Sequence, residues 1–179
     1  MTQRILFVCT GNICRSPAAE VLFQAAVPAA QVASAATGAW HLGEGPTNTN
    51  IRAAQRAGFD LSNHRAQQFA AHHFAEFDWL IGMTRKHCEH METMRPAGNT
   101  ANVCLFSSFD PDNLPQDFPD PYGQDDRTYD AMWMRLEAAM PALVTAIVGD
   151  AASAEKTDGG AARESGNPQS KRSQSERSQ

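Results

Sequence analysis

The sequence predicts an α/β fold in which helices flank a parallel sheet. Short apolar runs of strand length alternate with longer segments of helical periodicity along residues 1–150. The first run, residues 5–8, is apolar throughout, which is typical of a strand buried on both faces of a parallel sheet. Strands that alternate with helices favour parallel pairing, and ligands in such sheets bind beyond the carboxyl ends of the strands.

The elements of the first half are bounded by breaker residues. Strands are expected at residues 5–8 and 31–36, and helices at residues 18–27 and 48–57. Pro28 ends the first helix, because proline lacks the N–H that a helix interior needs. Gly58 ends the second helix, which begins at Thr47 or Asn48. Glycines and a proline make residues 37–46 a loop.

The second half continues the alternation of strands and helices. Residues 60–76 predict one or two short helical turns. Further strands are expected at residues 78–83 and 103–106, and further helices at residues 84–94 and 127–148. The last helix carries an apolar stripe typical of a core-facing surface. Residues 109–124 contain four prolines and predict a long, stiff loop, a kind that is usually functional or disordered.

Composition indicates one folded domain followed by a polar tail. Residues 1–150 form the expected domain, whereas residues 151–179 contain no aromatic residue and no Leu, Ile, Val or Met, which predicts a disordered tail. The net charge of −5 at pH 7 argues against a nucleic-acid or anionic-membrane surface. No leader and no apolar run of membrane-spanning length are evident, so a cytoplasmic protein without membrane insertion is expected. A monomer is the default expectation.

The loop between the first strand and the first helix has the residues of an oxyanion cradle. Its sequence is Cys9-Thr10-Gly11-Asn12-Ile13-Cys14-Arg15-Ser16-Pro17. Gly11 is expected to take a positive φ, so that the backbone curls and turns its N–H groups inward. Ser16 is expected to cap the following helix, and Pro17 suits its first turn. The loop amides and the helix N-terminus then face one point, where a phosphate-sized anion is favoured.

Two side chains of this loop bring chemistry to the bound anion. The planar fork of Arg15 is suited to holding two of its oxygens. Cys9 is expected beneath the anion, where the amides and the Arg15 charge favour a thiolate. A thiolate below a bound phosphate is an in-line nucleophile.

The loop resembles the signature loop of the low-molecular-weight protein tyrosine phosphatases. The resemblance implies a four-stranded parallel sheet wrapped by helices and hydrolysis of phosphotyrosine through a phosphocysteine on the nucleophile. It also implies that the rest of the loop binds the substrate phosphate, namely Thr10, Gly11, Asn12, Ile13, Cys14 and Ser16. Within this set, Ser16 resembles the hydroxyl donor to the thiolate, and Asn12 the residue that holds the shape of the loop. His64 resembles the histidine that braces that asparagine.

A cysteine phosphatase also needs a general acid for the leaving phenolate. Asp117 and Asp120 both lie in the proline-rich loop, and the residues alone leave the choice open. The sequence Asp120-Pro121-Tyr122 resembles the acid motif of the family, which maps the acid to Asp120. The resemblance further implies that Trp40 and Tyr122 line the crevice. Aromatic walls around a deep slot accept phosphotyrosine and exclude the shorter phosphoserine.

Three alternatives share the loop and are weighed against this hypothesis. Protein arginine phosphatases usually carry threonine where this chain has Ile13, and an apolar residue there suits an aryl ring better than a guanidinium. Thioredoxin-coupled arsenate reductases use two further cysteines close together, whereas Cys88 and Cys104 are far apart in the sequence. A non-catalytic phosphate-binding module is expected to lack the nucleophile or the acid, and this chain has both.

The resemblance implies neither a metal nor another cofactor, because Arg15 and the loop amides supply the positive field. The segment containing His87 and Cys88 is interpreted as a solvated helix face, and the pair His72-His73 as surface. In the family, the residue at the position of Cys14 can form a reversible disulfide with the nucleophile. The expected partner is a phosphotyrosine-containing protein, with a tyrosine kinase as one candidate.

Overall fold

The computed structural model describes residues 2–110 and 116–158 and confirms the predicted four-stranded parallel sheet. The strands are β1 Arg4–Cys9, β2 Gln31–Ala36, β3 Trp79–Gly82 and β4 Asn102–Leu105. They lie in the order β2-β1-β3-β4, and every neighbouring pair is parallel. The helices are α1 Arg15–Ala26, α2 Asn48–Arg56, α3 His73–Glu76, α4 Arg85–Thr93 and α5 Asp126–Asp158, with a 3-10 turn at Phe106–Phe109.

The sheet separates two hydrophobic layers. Side chains of β1 alternate between them, because successive residues of a strand point to opposite faces. Ile5, Phe7 and Cys9 belong to the larger layer, which contains buried residues of α1, α2 and α5. Leu6 and Val8 belong to the smaller layer, which includes Phe74 of α3 and Met91 of α4 among other residues. Cys9 is therefore the last inward residue on the side of the long helix α5.

The strand order places the Cys9 loop at the point where the chain reverses its direction across the sheet. From β1 the chain crosses through α1 to β2 on one side, whereas β3 lies on the other side of β1. Ligand crevices of open α/β sheets form at this switch point. The backbone N–H of Thr37 donates to Cys9 O at 2.9 Å, and that of Met83 donates to Val8 O at 3.0 Å. Both neighbouring strands thus hold the base of the loop.

The last helix is longer than predicted. α5 continues to Asp158, eight residues beyond the predicted boundary between domain and tail at residue 150. Alanine, glutamate and lysine dominate residues 151–156, and these residues extend an existing helix even without apolar side chains that could pack. The rest of the predicted tail, residues 159–179, lies outside the described residues, as does the segment 111–115 of the proline-rich loop.

The stretch Asp126–Gly149 of α5 has the length and hydropathy of a membrane span, with a mean hydropathy of 1.3. Buried helices of folded domains have the same properties. Here the inward stripe of α5 packs in the larger layer, with Tyr129, Trp133, Leu136, Leu143 and Ile147 all buried.

Candidate active site

A recess of about 200 Å³ opens at the carboxyl edge of the sheet, directly above the Cys9 loop. It is lined by Cys9, Thr10, Gly11, Ile13, Cys14, Arg15, Trp40, His41, Asp120 and Tyr122. Nine of these are residues predicted from the sequence, and His41 is the one that sequence reasoning missed. The other two predicted residues, Asn12 and Ser16, lie behind the recess and are fully buried.

The curl of the loop is made at Asn12 and not at Gly11, which corrects the prediction. Asn12 has a φ of 54° and is the only non-glycine residue with positive φ in the described parts of the chain. Asparagine tolerates this region better than most residues do. A Cβ at Gly11 would lie 3.0 Å from His41 Cδ2, so a larger residue there requires the His41 ring to shift by a few tenths of an ångström.

The Asn12 side chain is held from several directions. Its Oδ1 accepts from the Gln67 backbone N–H at 3.0 Å, and its Nδ2 donates to Ser34 Oγ at 2.7 Å and to Ser16 Oγ at 2.9 Å. The predicted contact with His64 is present, at 2.7 Å between His64 Nε2 and Asn12 O. These contacts offset the cost of a strained backbone conformation, which is of order 1–3 kcal/mol.

A partly buried carboxyl group, that of Glu20, completes this network below the loop. Ser34 Oγ donates to Glu20 Oε2, so a continuous chain of polar contacts runs from Glu20 through Ser34 and Asn12 to Ser16. Burial raises the pKa of the Glu20 carboxyl, whereas the hydrogen bond from Ser34 lowers it. Neither Glu20 nor Ser34 was singled out from the sequence, since only the fold brings β2 and α1 against the loop.

Ser16 contacts the nucleophile candidate but does not cap the helix, which is a second correction. α1 begins at Arg15, its N-cap residue is Cys14, and no side chain caps it. Ser16 Oγ lies 3.0 Å from Cys9 Sγ, and the Asn12 backbone N–H donates to the same sulfur at 3.2 Å. Both groups are placed to donate to the sulfur when Cys9 acts as the nucleophile.

Arg15 is a buried cation, and among the described residues its Nε has no hydrogen-bond partner. The residue is 3% exposed. Its Nη1 donates to Phe118 O at 3.1 Å, and its Nη2 donates to Asp120 Oδ2 at 2.6 Å. Arg15 Nε is one of two buried side-chain polar atoms without a partner among the described residues. An unpaired buried donor on a cation beside a recess is the signature of an anion site.

Phe118 fixes the loop that carries the acid candidates. Its ring is buried against Phe106 at 5.4 Å between centroids, and its backbone N–H donates to Met83 O at 2.8 Å. Of the two aspartates, Asp117 faces the N-terminus of α4, where Oδ1 accepts from the Arg85 backbone N–H at 2.8 Å. Asp120 lines the recess. Geometry therefore supports Asp120, the residue to which the resemblance pointed.

The walls of the recess are exposed aromatic residues. Trp40 is 75% exposed and Tyr122 is 55% exposed. The indole of Trp40 lies against the Gly38 backbone, where a Cβ would come within 2.1 Å of Trp40 Cζ3. Tyr122 stands near His41, with ring centroids 5.7 Å apart, and His41 Nδ1 is 2.7 Å from Glu44 Oε2.

Asn50 of α2 supports the far side of the loop and was not anticipated. It is fully buried, and its Nδ2 donates to Ile13 O at 3.2 Å and to Cys14 O at 3.0 Å. Its Oδ1 accepts from Trp133 Nε1 of α5 at 2.9 Å. A single asparagine thus satisfies two loop carbonyls and a core indole. A polar residue at an inward position of a predicted amphipathic helix was the available signal.

Neither Cys9 nor Cys14 of the loop is in a disulfide. Cys14 Sγ lies 3.2 Å from Tyr129 Oη, which in turn accepts from Thr47 Oγ1 at 3.0 Å. Burial raises the pKa of the Cys14 thiol to about 11, although the Tyr129 hydroxyl opposes this shift. Cys14 is therefore a thiol at neutral pH, and a disulfide with Cys9 stays a prediction.

The other two cysteines are neighbours in space, which corrects the expectation drawn from their separation in sequence. Cys88 Sγ of α4 donates to Cys104 O of β4 at 3.3 Å. Neither residue lines the recess, whose cysteines are Cys9 and Cys14. Burial raises the pKa of Cys88 to about 11 and that of Cys104 to about 12. Both are poorly suited to a thiolate relay.

Two histidines predicted at the surface are buried. His87 and His73 are each 4% exposed. His72, His73 and Glu76 bring ligand atoms within 4.8 Å of one another. However, His73 Nδ1 accepts from the Ala70 backbone N–H at 3.0 Å, which puts the proton of the neutral ring on Nε2 and leaves it no free lone pair for a metal.

Comparisons with known proteins agree with this geometry. A model of the low molecular weight phosphotyrosine protein phosphatase family matches residues 4–153. The chain is 36% identical over 158 residues to a low molecular weight protein-tyrosine-phosphatase of Streptomyces coelicolor, covering 82% of this chain and 94% of that protein. Vibrio vulnificus Wzb in complex with benzylphosphonate has a TM-score of 0.73 and 28% identity, covering 81% and 99%. The Erwinia amylovora tyrosine phosphatase amsI has a TM-score of 0.73 and 33% identity, covering 82% and 94%.

Proposed function

The chain belongs to the low molecular weight phosphotyrosine protein phosphatase family, and we propose that it hydrolyses phosphotyrosine in proteins through a phosphocysteine intermediate on Cys9. The observation that carries this mechanism is the convergence of Cys9, Arg15 and Asp120 on one recess. A nucleophile, a clamp and an acid are the parts that phosphoryl transfer from an aryl ester requires.

Substrate binding begins with an exchange of anions at Arg15. The Asp120 carboxylate occupies Arg15 Nη2, while Nε is unpaired. An entering phosphate dianion offers two oxygens to Nε and Nη2 and the rest to the loop amides. This displaces Asp120 from the guanidinium, and the proposed acid role requires its carboxyl group to carry a proton when the substrate is bound. The displaced acid is then free to face the leaving oxygen of the substrate.

In the first chemical step the Cys9 thiolate attacks phosphorus. The S–P bond forms as the P–O bond to the tyrosine breaks, and Asp120 transfers its proton to the departing phenolate oxygen. Charge spreads over the equatorial oxygens, where fixed donors from the loop and Arg15 stabilise it. Ser16 and the Asn12 amide, which contact the sulfur, hold the thiolate in place until it reacts.

In the second step water hydrolyses the phosphocysteine. Asp120, now a carboxylate, accepts a proton from water as the water oxygen attacks phosphorus and the S–P bond breaks. The products are inorganic phosphate and the Cys9 thiolate, and Asp120 again carries the proton that the next leaving group needs. Each step thus regenerates the state that the other requires.

The walls support an aryl substrate. Trp40 and Tyr122 rise beside the recess, and Ile13 adds an apolar contact at its floor. A tyrosine ring fills such a slot and carries its phosphate to the loop, which a serine side chain is too short to do. The related structure that holds benzylphosphonate is consistent with an aryl group above the loop. The substrate class is a phosphotyrosine-containing protein, and a tyrosine kinase is one candidate.

The deciding experiment compares phosphotyrosine peptide, phosphoarginine and arsenate as substrates of the purified protein, with EDTA throughout and thioredoxin present for arsenate. We expect rapid release of phosphate from phosphotyrosine alone. A preference for phosphoarginine would contradict the role assigned to Ile13. Reduction of arsenate would show that a second thiol, that of Cys14, Cys88 or Cys104, reaches Cys9. No turnover of any substrate would favour a phosphate-binding module.

A further inference from the structure

We propose that His87 is a positioning residue that holds the hydroxyl of Thr10 as a hydrogen-bond donor to the phosphoryl group. His87 lies on α4, outside the signature loop, and the mechanism above does not use it. The proposal rests on the proposed function, because it assigns a further donor to the same reaction.

The backbone fixes which nitrogen of His87 carries the proton. The Thr84 backbone N–H donates to His87 Nδ1 at 3.1 Å, so Nδ1 presents a lone pair. In a neutral imidazole the proton must then be on Nε2. Burial, together with the Arg15 charge, lowers the pKa of His87 to about 4, so the ring is neutral at neutral pH. His87 therefore offers one N–H donor, on the atom that faces the loop.

That donor meets the hydroxyl of Thr10. His87 Nε2 and Thr10 Oγ1 are 2.9 Å apart. Arg15 Nη2 also donates to Thr10 Oγ1, at 3.4 Å. Both partners are donors, so they occupy the two lone pairs of the hydroxyl oxygen. Within the described parts of the chain, Thr10 Oγ1 has no acceptor for its own proton.

The remaining direction for that proton is the recess. Thr10 lines the recess together with Cys9 and Asp120, and the Gly38 backbone N–H fixes Thr10 O at 2.9 Å. A preorganised hydroxyl at this position donates to an oxygen of the phosphoryl group, where charge gathers during transfer. His87 acts through Thr10 and has no contact with the reacting atoms of its own.

His73 provides a matched control. It is as buried as His87, and its Nδ1 likewise accepts a backbone N–H, from Ala70 at 3.0 Å. His73 belongs to α3 and does not line the recess. Removing it disturbs packing and a local hydrogen bond without touching the phosphate loop.

The test replaces His87 with side chains that separate its two hydrogen bonds. In His87→Asn the amide oxygen takes the place of Nδ1 and nothing reaches Thr10. In His87→Gln the longer amide places a donor near the position of Nε2. We expect His87→Asn to lower kcat for p-nitrophenyl phosphate about tenfold and to weaken orthovanadate inhibition similarly, the effect of one lost transition-state hydrogen bond. We expect His87→Gln to recover most of the loss, and His73→Asn to leave the kinetics unchanged.

A double-mutant cycle tests whether the effect passes through Thr10. Thr10→Val should equal His87→Asn in kcat, Thr10→Ser should retain activity, and the double variant should be no worse than Thr10→Val alone. If the losses in kcat of the two single variants multiply in the double variant, the proposal is overturned. A His87→Asn protein with normal kinetics and a lower Tm would overturn it as well. Failure of aryl-phosphate turnover in the wild-type protein would instead refute the proposed function.

The tautomer itself is measurable without any variant. Imidazole ¹⁵N chemical shifts of the wild-type protein should report His87 protonated on Nε2 at neutral pH. Addition of inorganic phosphate should shift the Nε2 resonance, because the Thr10 hydroxyl that it contacts acquires an acceptor. Protonation on Nδ1 would contradict the proposal even if every variant failed to fold.

Discussion

The floor and the walls of the recess are built by opposite means. Cys9 and Arg15 of the floor, and Asn12 directly behind it, are at most 3% exposed, and buried polar contacts hold each of them. Trp40 and Tyr122 of the walls are 75% and 55% exposed. The floor must place charges within tenths of an ångström of a reacting phosphate, whereas the walls need only present a flat surface to a ring. The side chains with the most tightly fixed positions are therefore those closest to the bonds that form and break.

Only the buried floor of the recess has a cost in folding free energy; the exposed walls have almost none. A buried guanidinium and a backbone at positive φ are unfavourable in isolation, and the network around Asn12 offsets them only when it is complete. The exposed walls contribute little to folding, because their rings stay largely in water. Substitutions in the floor should consequently affect catalysis and stability together, whereas those in the walls should affect recognition alone.

The largest expected effect is that of Cys9→Ser. A serine hydroxyl is a far weaker nucleophile than a thiolate, so turnover of p-nitrophenyl phosphate should fall by at least about 10⁴-fold. The amides and Arg15 remain, so the dissociation constant for inorganic phosphate, measured by calorimetry, should stay within a few-fold of the wild-type value. Turnover within tenfold of wild type would refute the nucleophilic role.

Asp120→Asn should produce the next largest loss. The amide keeps the shape of the carboxyl group but supplies no acidic proton, so kcat for phosphotyrosine should fall by about 10²–10⁴-fold. Phosphate binding should be equal or tighter, because the carboxylate that competes for Arg15 is gone. The loss should shrink for aryl phosphates with more acidic leaving groups.

Asp117→Asn is the matched control in the same loop. Asp117 contacts the backbone N–H of Arg85 and stands three residues before the acid candidate. Its amide variant should retain kcat within a few-fold. Equal losses in both variants would indicate that the negative charge of the loop, and not proton transfer by Asp120, is what matters.

The floor was predictable from sequence where its chemistry is local. The order of strand, Cys9-to-Arg15 loop and helix is contiguous in the chain, so residue types and spacing alone indicated an anion cradle. Asp120 is more than a hundred residues away from Arg15. The residue types alone do not distinguish Asp120 from Asp117 as the general acid. The family resemblance is what identifies Asp120.

The errors in prediction arose where a residue's role depends on what packs against it. The sequence favours a positive φ at Gly11, because glycine adopts it at least cost. The left-handed residue is Asn12, whose side chain is held by three hydrogen bonds. The sequence predicts that His87 is a solvated helix residue, because only the fold shows that α4 packs against Thr10. Asn50 has no motif at all, because its partners come from the Cys9 loop and from α5.

Asn50→Ala tests how much the hydrogen bonds of Asn50 to the Cys9 loop contribute to stability and to kcat. The change leaves the carbonyls of Ile13 and Cys14 and the indole N–H of Trp133 without their partner. We expect a loss of about 2–4 kcal/mol in the free energy of unfolding, measured by urea denaturation, and a lower kcat in the folded fraction. Asn48→Ala, at an exposed position of the same helix, should change stability by less than about 0.5 kcal/mol.

Buried histidines should make stability depend on pH. The pKa of His87 falls from 6.5 in the unfolded chain to about 4 in the fold, chiefly through burial. The unfolded state therefore binds more protons between these values, so the stability of the folded state is full above about pH 6.5 and falls as the pH drops toward 4.

This loss should reach about 3 kcal/mol for His87 alone at pH 4. His64 and His73, whose pKa values are also lowered by burial, add to it in the same direction, whereas Glu20, whose pKa is raised, acts against it. Urea unfolding at pH 7 and pH 4.5 should show a smaller difference for His87→Gln than for wild type. Identical pH dependence in both proteins would contradict burial of a neutral imidazole.

The smallest expected effect is that of Trp40→Ala in the wall. An indole that is 75% exposed contributes little to folding, so the Tm should be unchanged. The KM for a phosphotyrosine peptide should rise about tenfold with kcat nearly constant, because the lost contact is made equally in the ground and transition states. Inhibition by inorganic phosphate, which contacts only the floor, should be unaffected.

The control is Leu42→Ala. Leu42 is another exposed apolar residue, two positions away and outside the recess, so its removal should leave KM unchanged. A parallel loss of phosphate affinity in Trp40→Ala would mean that wall and floor are coupled, and the division between them would fail.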